Sequence, residues 1–200
     1  MKKKILIICS LLTLLVIGLF IGAMQYSVKI DNSLSQKEKR IIPVWKDLLH
    51  LTNLRLIAIK DLYQNHNCDY NKHIKSIDSI IIEKRLSEDY MKKNFHPLEL
   101  EANIILLELY NCKGADKIQF DLLLKPYNDS LNLKTKKYNS LVESYNNEVF
   151  KFPNTFFIDF EKYKSKRFIR IDYSNSLENE VKKQKNIENW IETGDLPNDK

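Results

Sequence analysis

FDLLLKPYNDSLNLKTKKYNSLVESYNNEVFKF, residues 120–152, is the longest regular pattern in the chain. Phe120, Leu124, Tyr127 and Leu131, then Tyr138, Val142, Tyr145, Val149 and Phe152, recur at steps of three, four and seven, so a helix here carries one apolar seam along its length. Such a seam has to be covered, and helices with matching stripes cover it best. Pro126 interrupts the stretch without interrupting the seam, which predicts a kink rather than an end.

Matching stripes lie upstream. Between Ser35 and Asn65, Trp45, Leu49, Thr52, Leu56, Ile59 and Tyr63 keep helical spacing, and Leu48, Leu51, Leu54, Ile57 and Leu62 widen the face, as a bundle with more than one neighbour requires. Pro43 precedes the strong stripe and predicts a start or a kink. After the polar break at residues 65–69, Tyr70, Ile74, Ile77 and Ile81 mark a second helix closed by Lys92 and Lys93. Asn94-Phe95-His96-Pro97 predicts a break, with a third helix from Pro97 through Leu98, Ala102, Ile105 and Leu109 to Asn111. The expected fold is therefore all-α, an antiparallel up-down bundle of about four long helices.

Past Pro153 the period changes. Phe156, Ile158 and Phe160, then Ile169, Ile171 and Tyr173, alternate with other residues, which fits a short β-hairpin or an irregular tail that packs its aromatics on the bundle. Asn175 and Glu178 form a capping-box pattern for a terminal helix to about Trp190.

Residues 5–24 contain no charge and only Cys9, Ser10 and Thr13 as mildly polar interruptions, matching the roughly 20 residues that cross a bilayer core. A cleaved signal peptide is the rival, but its apolar region is usually about 7–15 residues. The expected organisation is a transmembrane anchor at 1–26, a helical bundle at 27–153 and a basic, aromatic tail at 154–200. Lys2, Lys3 and Lys4 beside the span favour a signal anchor with its N-terminus in the cytoplasm and the domain outside, although Lys29, Lys37, Lys39 and Arg40 weigh on the other flank. Gly18 and Gly22 form a GxxxG pattern that would let two spans approach and dimerise.

The net charge of +6 owes three units to Lys2, Lys3 and Lys4, so the domain is close to balance and does not read as a dedicated nucleic-acid binder. With glycine only at 18, 22, 114 and 194, phosphate-cradling loops lack their material.

Lys137-Tyr138-Asn139-Ser140-Leu141-Val142-Glu143-Ser144-Tyr145-Asn146, followed by Phe152-Pro153, resembles the closing part of LemA family proteins, where two Tyr-Asn pairs and a Phe-Pro are spaced by sevens. Ala115-Asp116-Lys117-Ile118-Gln119-Phe120 is similar to the family's entry into its last long helix. The chain departs from the family pattern at Ser130, Leu131 and Thr135, where an Asn-Arg run and a further Arg are usual. The resemblance implies a membrane-anchored, elongated helical bundle, and it brings no catalytic residues. From the residues themselves, Tyr138, Tyr145 and Phe152 share a face expected to pack inward. Asn139 and Asn146 beside it suggest either interhelical hydrogen bonds or solvated positions.

Candidate chemistry is sparse. His66, Cys68 and His73 could supply metal ligands, but their spacing matches no zinc pattern and a polar loop accounts for them. Glu83, Glu88, Glu99, Glu101 and Glu108 include no Glu-x-x-His pair and read as solvated faces. No cofactor is expected. In an up-down topology Cys68 and Cys112 both fall in membrane-distal connections, where an exported domain could oxidise them to a disulfide. The same topology returns Lys162, Lys164, Lys166, Arg167 and Arg170 to the bilayer as a lipid-headgroup contact, each contributing on the order of 1 kcal/mol at an anionic surface.

The leading expectation is a non-enzymatic, membrane-tethered scaffold or protein-interaction module of the cell envelope. Its partners would be membrane lipid, another envelope protein or a second copy of the chain. The alternative is a metal-binding or enzymatic bundle using the His66, Cys68 and His73 loop or the glutamates. A transmembrane sensor is disfavoured, because only four residues precede the apolar run.

Overall fold

The computed structural model describes residues 2–65, 88–112, 116–173 and 177–193. Four α-helices account for most of them: α1 (Lys2–Asn65), α2 (Glu88–Tyr110), α3 (Lys117–Phe150) and α4 (Leu177–Thr193). A single 3-10 turn follows α3 at Asn154–Phe156, and the Phe152–Pro153 peptide bond is cis. The all-helical expectation holds, with no strand among the described residues. The expected second helix at 70–81 lies outside the described residues.

Two prolines lie inside helices. The apolar N-terminal segment and the first domain helix are one helix, so of the start or kink expected at Pro43 the start does not occur, and the break expected at Asn94–Pro97 does not occur because it lies inside α2. An internal proline costs about 3 kcal/mol, whereas each large apolar side chain taken out of water contributes about 1.5–3 kcal/mol. Val44, Trp45, Phe95 and Leu98, immediately beside the two prolines, are all buried. Tertiary packing thus outweighs the local penalty at both places.

The residues group into two compact units, Met1–Ile42 with Asn139–Phe168, and Pro43–Tyr138 with Ile169–Lys200. In the first, Ile30, Leu34 and Ile41 of α1 are buried with Val142, Tyr145 and Val149 of α3 and with Tyr163. Lys37 Nζ donates to the Ser144 carbonyl and hydroxyl oxygens, both at 2.9 Å, and lies 3.5 Å from Glu148. Tyr26, lower on α1, reaches Asn154, beyond the end of α3, so the two helices run antiparallel in this unit.

In the second unit the stripe of α1, from Trp45 to Tyr63, is buried as expected, while on its widened edge Leu51 and Leu54 are half-buried and Ile57 is exposed. In the same unit Phe95, Leu98, Ala102, Ile105 and Leu109 of α2 and Phe120, Leu124 and Leu131 of α3 are buried. Trp45 lies 5.6 Å from Phe95 and 5.4 Å from Tyr138, centroid to centroid. Asp47 pairs with Lys134, and Arg55 bonds Asn128, again an antiparallel sense for α1 and α3.

The β-hairpin does not form. The alternation that suggested it holds in its second half, where Ile169 and Ile171 are buried while Arg170 and Asp172 are exposed, but not in its first, where Phe156 and Phe160 are exposed. Asparagine side chains of α3 take the place of a partner strand. In the first unit Asn146 Nδ2 donates to the Lys166 carbonyl and Asn146 Oδ1 accepts from the Lys166 N–H, both at 2.9 Å. In the second, Asn132 Oδ1 accepts from the Tyr173 N–H at 2.9 Å, while Arg170 N–H donates to His96 Nε2 and Lys183 Nζ donates to the Arg170 carbonyl. Primary amides present the donor and acceptor of a peptide unit, so they can satisfy an extended backbone without a sheet.

Asn146→Ala should therefore remove two bonds at once from a partly buried backbone, lowering stability by about 1–3 kcal/mol. Hydrogen exchange at the Lys166 amide should accelerate in that variant while amides of α2 keep their protection.

Candidate functional site

Arg55 occupies a stripe position of α1, between Thr52 and Ile59, and is only 2% exposed. Each of its three guanidinium nitrogens has an acceptor. Nη1 donates to Glu99 Oε2 at 2.7 Å, Nη2 to Asn103 Oδ1 at 2.7 Å and Nε to Asn128 Oδ1 at 2.9 Å, and its carbon lies 5.3 Å from the Tyr173 ring centroid. One side chain of α1 is thus tied to two residues of α2 and one of α3. Glu99, expected on a solvated face, is 0% exposed, and that expectation is corrected: it also falls on the α2 stripe, between Phe95 and Ala102.

Burial pushes the Glu99 carboxyl above the ordinary carboxylate range, and the charge of Arg55 opposes that shift. Burial likewise raises the Tyr173 phenol well above its ordinary value, with the Glu99 charge adding to it. The Tyr173 and Thr52 hydroxyls lie close enough to act on the Glu99 carboxyl. Even so, Glu99 Oε1, Thr52 Oγ1 and Tyr173 Oη are buried without a hydrogen bond. A cleft of about 470 Å³ opens beside them, its walls including Arg55, Asn103, Tyr110, Asp121, Asn128 and Tyr173. Tyr110 donates to Asp121 and carries Lys117 Nζ 5.0 Å over its ring; burial and that carboxylate raise its pKa. The cleft wall carries five carboxylates against three cations.

Arg55, Glu99, Asn103 and Asn128 were not selected from sequence as a group. A signal was there: opposite charges at stripe positions of two helices, where an apolar residue is the rule.

The basic segment after α3 is strapped to α1. Lys162 Nζ meets Asp31 Oδ1 at 2.5 Å, Tyr163 Oη donates to the same atom at 2.7 Å, and Lys166 Nζ meets Glu38 Oε1 at 2.5 Å while lying 4.8 Å over the Tyr145 ring. The Lys162 hydrogen bond, then that of Tyr163, holds the Asp31 carboxyl below its ordinary value. Burial, helped by the Glu38 charge, pushes the Tyr145 phenol up to about 12. Of the five residues expected to contact lipid headgroups, Lys162, Lys164 and Lys166 have carboxylate partners in Asp31, Glu161 and Glu38, and Lys164, Arg167 and Arg170 are exposed.

Tyr138 and Tyr145 face the core as expected, and Asn146 holds the strap. Asn139 also has an interaction partner. Phe152 does not pack inward: it follows the last residue of α3 and is 75% exposed. Gly18 and Gly22 are open, since a Cβ at either would meet nothing within 4 Å. Cys112 is disulfide-bonded; its expected partner Cys68 lies outside the described residues, as do His66, His73 and Glu83. Among the described residues no three His, Cys, Asp or Glu side chains gather to hold a metal ion.

The fold and site define an all-helical chain whose first helix is apolar at its N-terminal end and whose buried polar centre joins three helices. No protein-family model, curated protein or solved structure matches it.

Arg55→Ala should destabilise the detergent-solubilised chain by about 3–5 kcal/mol, because it strands a buried carboxylate; replacing Arg55 and Glu99 together by Met and Leu should cost much less. Chemical denaturation of the two variants measures the difference. Glu99 also has a pH signature. Its raised folded pKa makes its contribution complete below about pH 4, the ordinary carboxyl value, and diminishing as pH rises through the folded pKa. Glu99→Gln should accordingly show a flatter stability profile above pH 4 than the parent.

Proposed function

We propose that the chain is a single-pass, membrane-tethered helical scaffold or protein-interaction module of a cell envelope. One observation carries this reading: α1 runs without a break from an apolar, solvent-exposed stretch into the buried core of the helical domain. Its most apolar 18-residue window has a mean hydropathy of 2.0, and none of that window is buried, so by length and composition α1 can cross a membrane. Leu12, Leu14, Val16, Leu19 and Phe20 point to different sides of it and are all exposed. A helix apolar all round has no single face to lay on a domain, and lipid is the solvent that suits it.

The Tyr138-Asn139 and Tyr145-Asn146 pairs support a LemA-like, membrane-anchored up-down bundle as the architecture. The Lys2–Lys4 cluster supports a signal anchor with the domain outside the cytoplasm. Function then lies in the exposed helix faces, with lipid, an envelope protein or a second copy, the last through Gly18 and Gly22, as partners. Cys112 and Cys68 make the membrane-distal disulfide of such an exported domain.

The parent chain should stay with membranes through alkaline carbonate extraction. Leu14→Lys combined with Ile17→Lys, each adding about 2.5–3.5 kcal/mol to insertion, should move it to the supernatant. Crosslinking in native membranes should then recover a protein partner on the domain, and a stoichiometric metal in the purified chain would overturn the scaffold reading. Non-reducing peptide mapping should find Cys68 linked to Cys112; a free Cys68 would remove that pairing.

A further inference from the structure

Four phenylalanines near the end of α3 are held outward. Phe150 and Phe160 are exposed, and Phe152 and Phe156 are 75% and 76% exposed, their rings T-shaped at 5.8 Å. Exposed aromatics on this scale forgo the burial that usually stabilises them, and a cluster of them marks a contact surface.

The turn that carries them is built rather than loose. Asn154, buried at its centre, donates from Nδ2 to the Glu148 carbonyl at 2.9 Å and to Glu148 Oε1 at 3.2 Å. Its Oδ1 accepts from the Tyr26 hydroxyl at 2.8 Å. Ser27 Oγ donates to the Phe157 carbonyl at 3.4 Å, and the Tyr26 and Phe157 rings meet edge to face at 5.2 Å. Both anchoring residues belong to α1, in the same compact unit. Tyr26 comes two residues after Met24, the last of the uncharged apolar run, which is roughly 3 Å along a helix axis. The aromatic turn is therefore pinned at the height where the apolar helix leaves the hydrocarbon.

We infer that the turn at residues 150–160 is an interfacial membrane anchor, in which Phe152 and Phe156 insert into lipid at the boundary of headgroups and acyl chains. Lipid is the occupant because the patch is pinned at the axial level of the exposed apolar residues of α1, Met24 and Val28, which lie just before and just after the pinned residues in the chain. Interfacial binding grows with the apolar area buried at that boundary, and here backbone groups of the turn already have partners: the Phe156 and Phe157 N–H donate to the Pro153 and Asn154 carbonyls, and Ser27 Oγ donates to the Phe157 carbonyl. The contact is distinct from the basic strap, two of whose lysines are taken up by Asp31 and Glu38. It rests on the membrane-tethered reading of α1.

The test uses the full chain in phosphatidylcholine vesicles, with Phe156→Trp as the probe and Phe20→Trp as the control inside the span. The parent's emission from Trp45 and Trp190 is subtracted from each variant's. Lipids brominated on the acyl carbons nearest the headgroup should cut the emission added by Phe156→Trp by about twofold or more, while aqueous iodide leaves it nearly unchanged. Lipids brominated deep in the chains should quench the emission added by Phe20→Trp. If the control is quenched by lipid but Phe156→Trp responds to iodide instead, the anchor is overturned and the tether stands. If Phe156→Trp is shielded from both quenchers, protein covers the patch, and the lipid assignment is overturned. If the control is not quenched by lipid, the tethered reading falls and the anchor with it.

Discussion

α1 changes character along one uninterrupted hydrogen-bonded ladder. At its N-terminal end the side chains are apolar on every side; from Ile30 onward the buried ones narrow to a stripe against α3, and from Val44 onward the stripe widens to meet α2 as well. Each core described above is assembled on this helix, so its register decides which residues of α3 and of the following segment find cover. Pro43 is tolerated inside it because Ile41, Val44 and Trp45 are all buried around the proline. A break there would expose more apolar surface than it would relieve backbone strain.

The polar counterpart of that register is Arg55. A guanidinium taken out of water must find partners for its donors, and here they come from Glu99, Asn103 and Asn128 on two other helices. Such a pair adds little net stability over well-packed apolar residues, because desolvation offsets most of the attraction. Its effect is on alternatives. A shift of α2 or α3 by one turn would leave a charge or an amide buried without a partner, at a cost of several kcal/mol.

Periodicity alone was enough to read the helices from sequence, because an apolar stripe is a direct consequence of burying one face. Trp45 to Tyr63, Leu98 to Leu109 and Phe120 to Val149 were read from spacing and are, with few exceptions, buried. What spacing could not supply is long-range compensation. Whether Pro97 ends a helix depends on Phe95 packing against Trp45, fifty residues away in the chain. Whether Glu99 is solvated depends on Arg55. The hairpin expectation rested on an alternation that is real only around Ile169 and Ile171, and there the backbone of the segment is met by amide side chains of a helix, which period-two reasoning does not consider.

Phe152 makes the same point in the other direction. It continues the seven-residue spacing of Tyr138 and Tyr145, yet spacing has meaning only while the helix lasts, and α3 ends at Phe150. Two residues past the end, the same periodic position points away from the core. An apolar residue can hold that place in a turn pinned by Tyr26 and Asn154 only if exposure is tolerated or another apolar phase takes it up. On the membrane-tethered reading proposed above, the nearest such phase is the one α1 would enter, and a departure from periodicity then bears on where the domain would meet it.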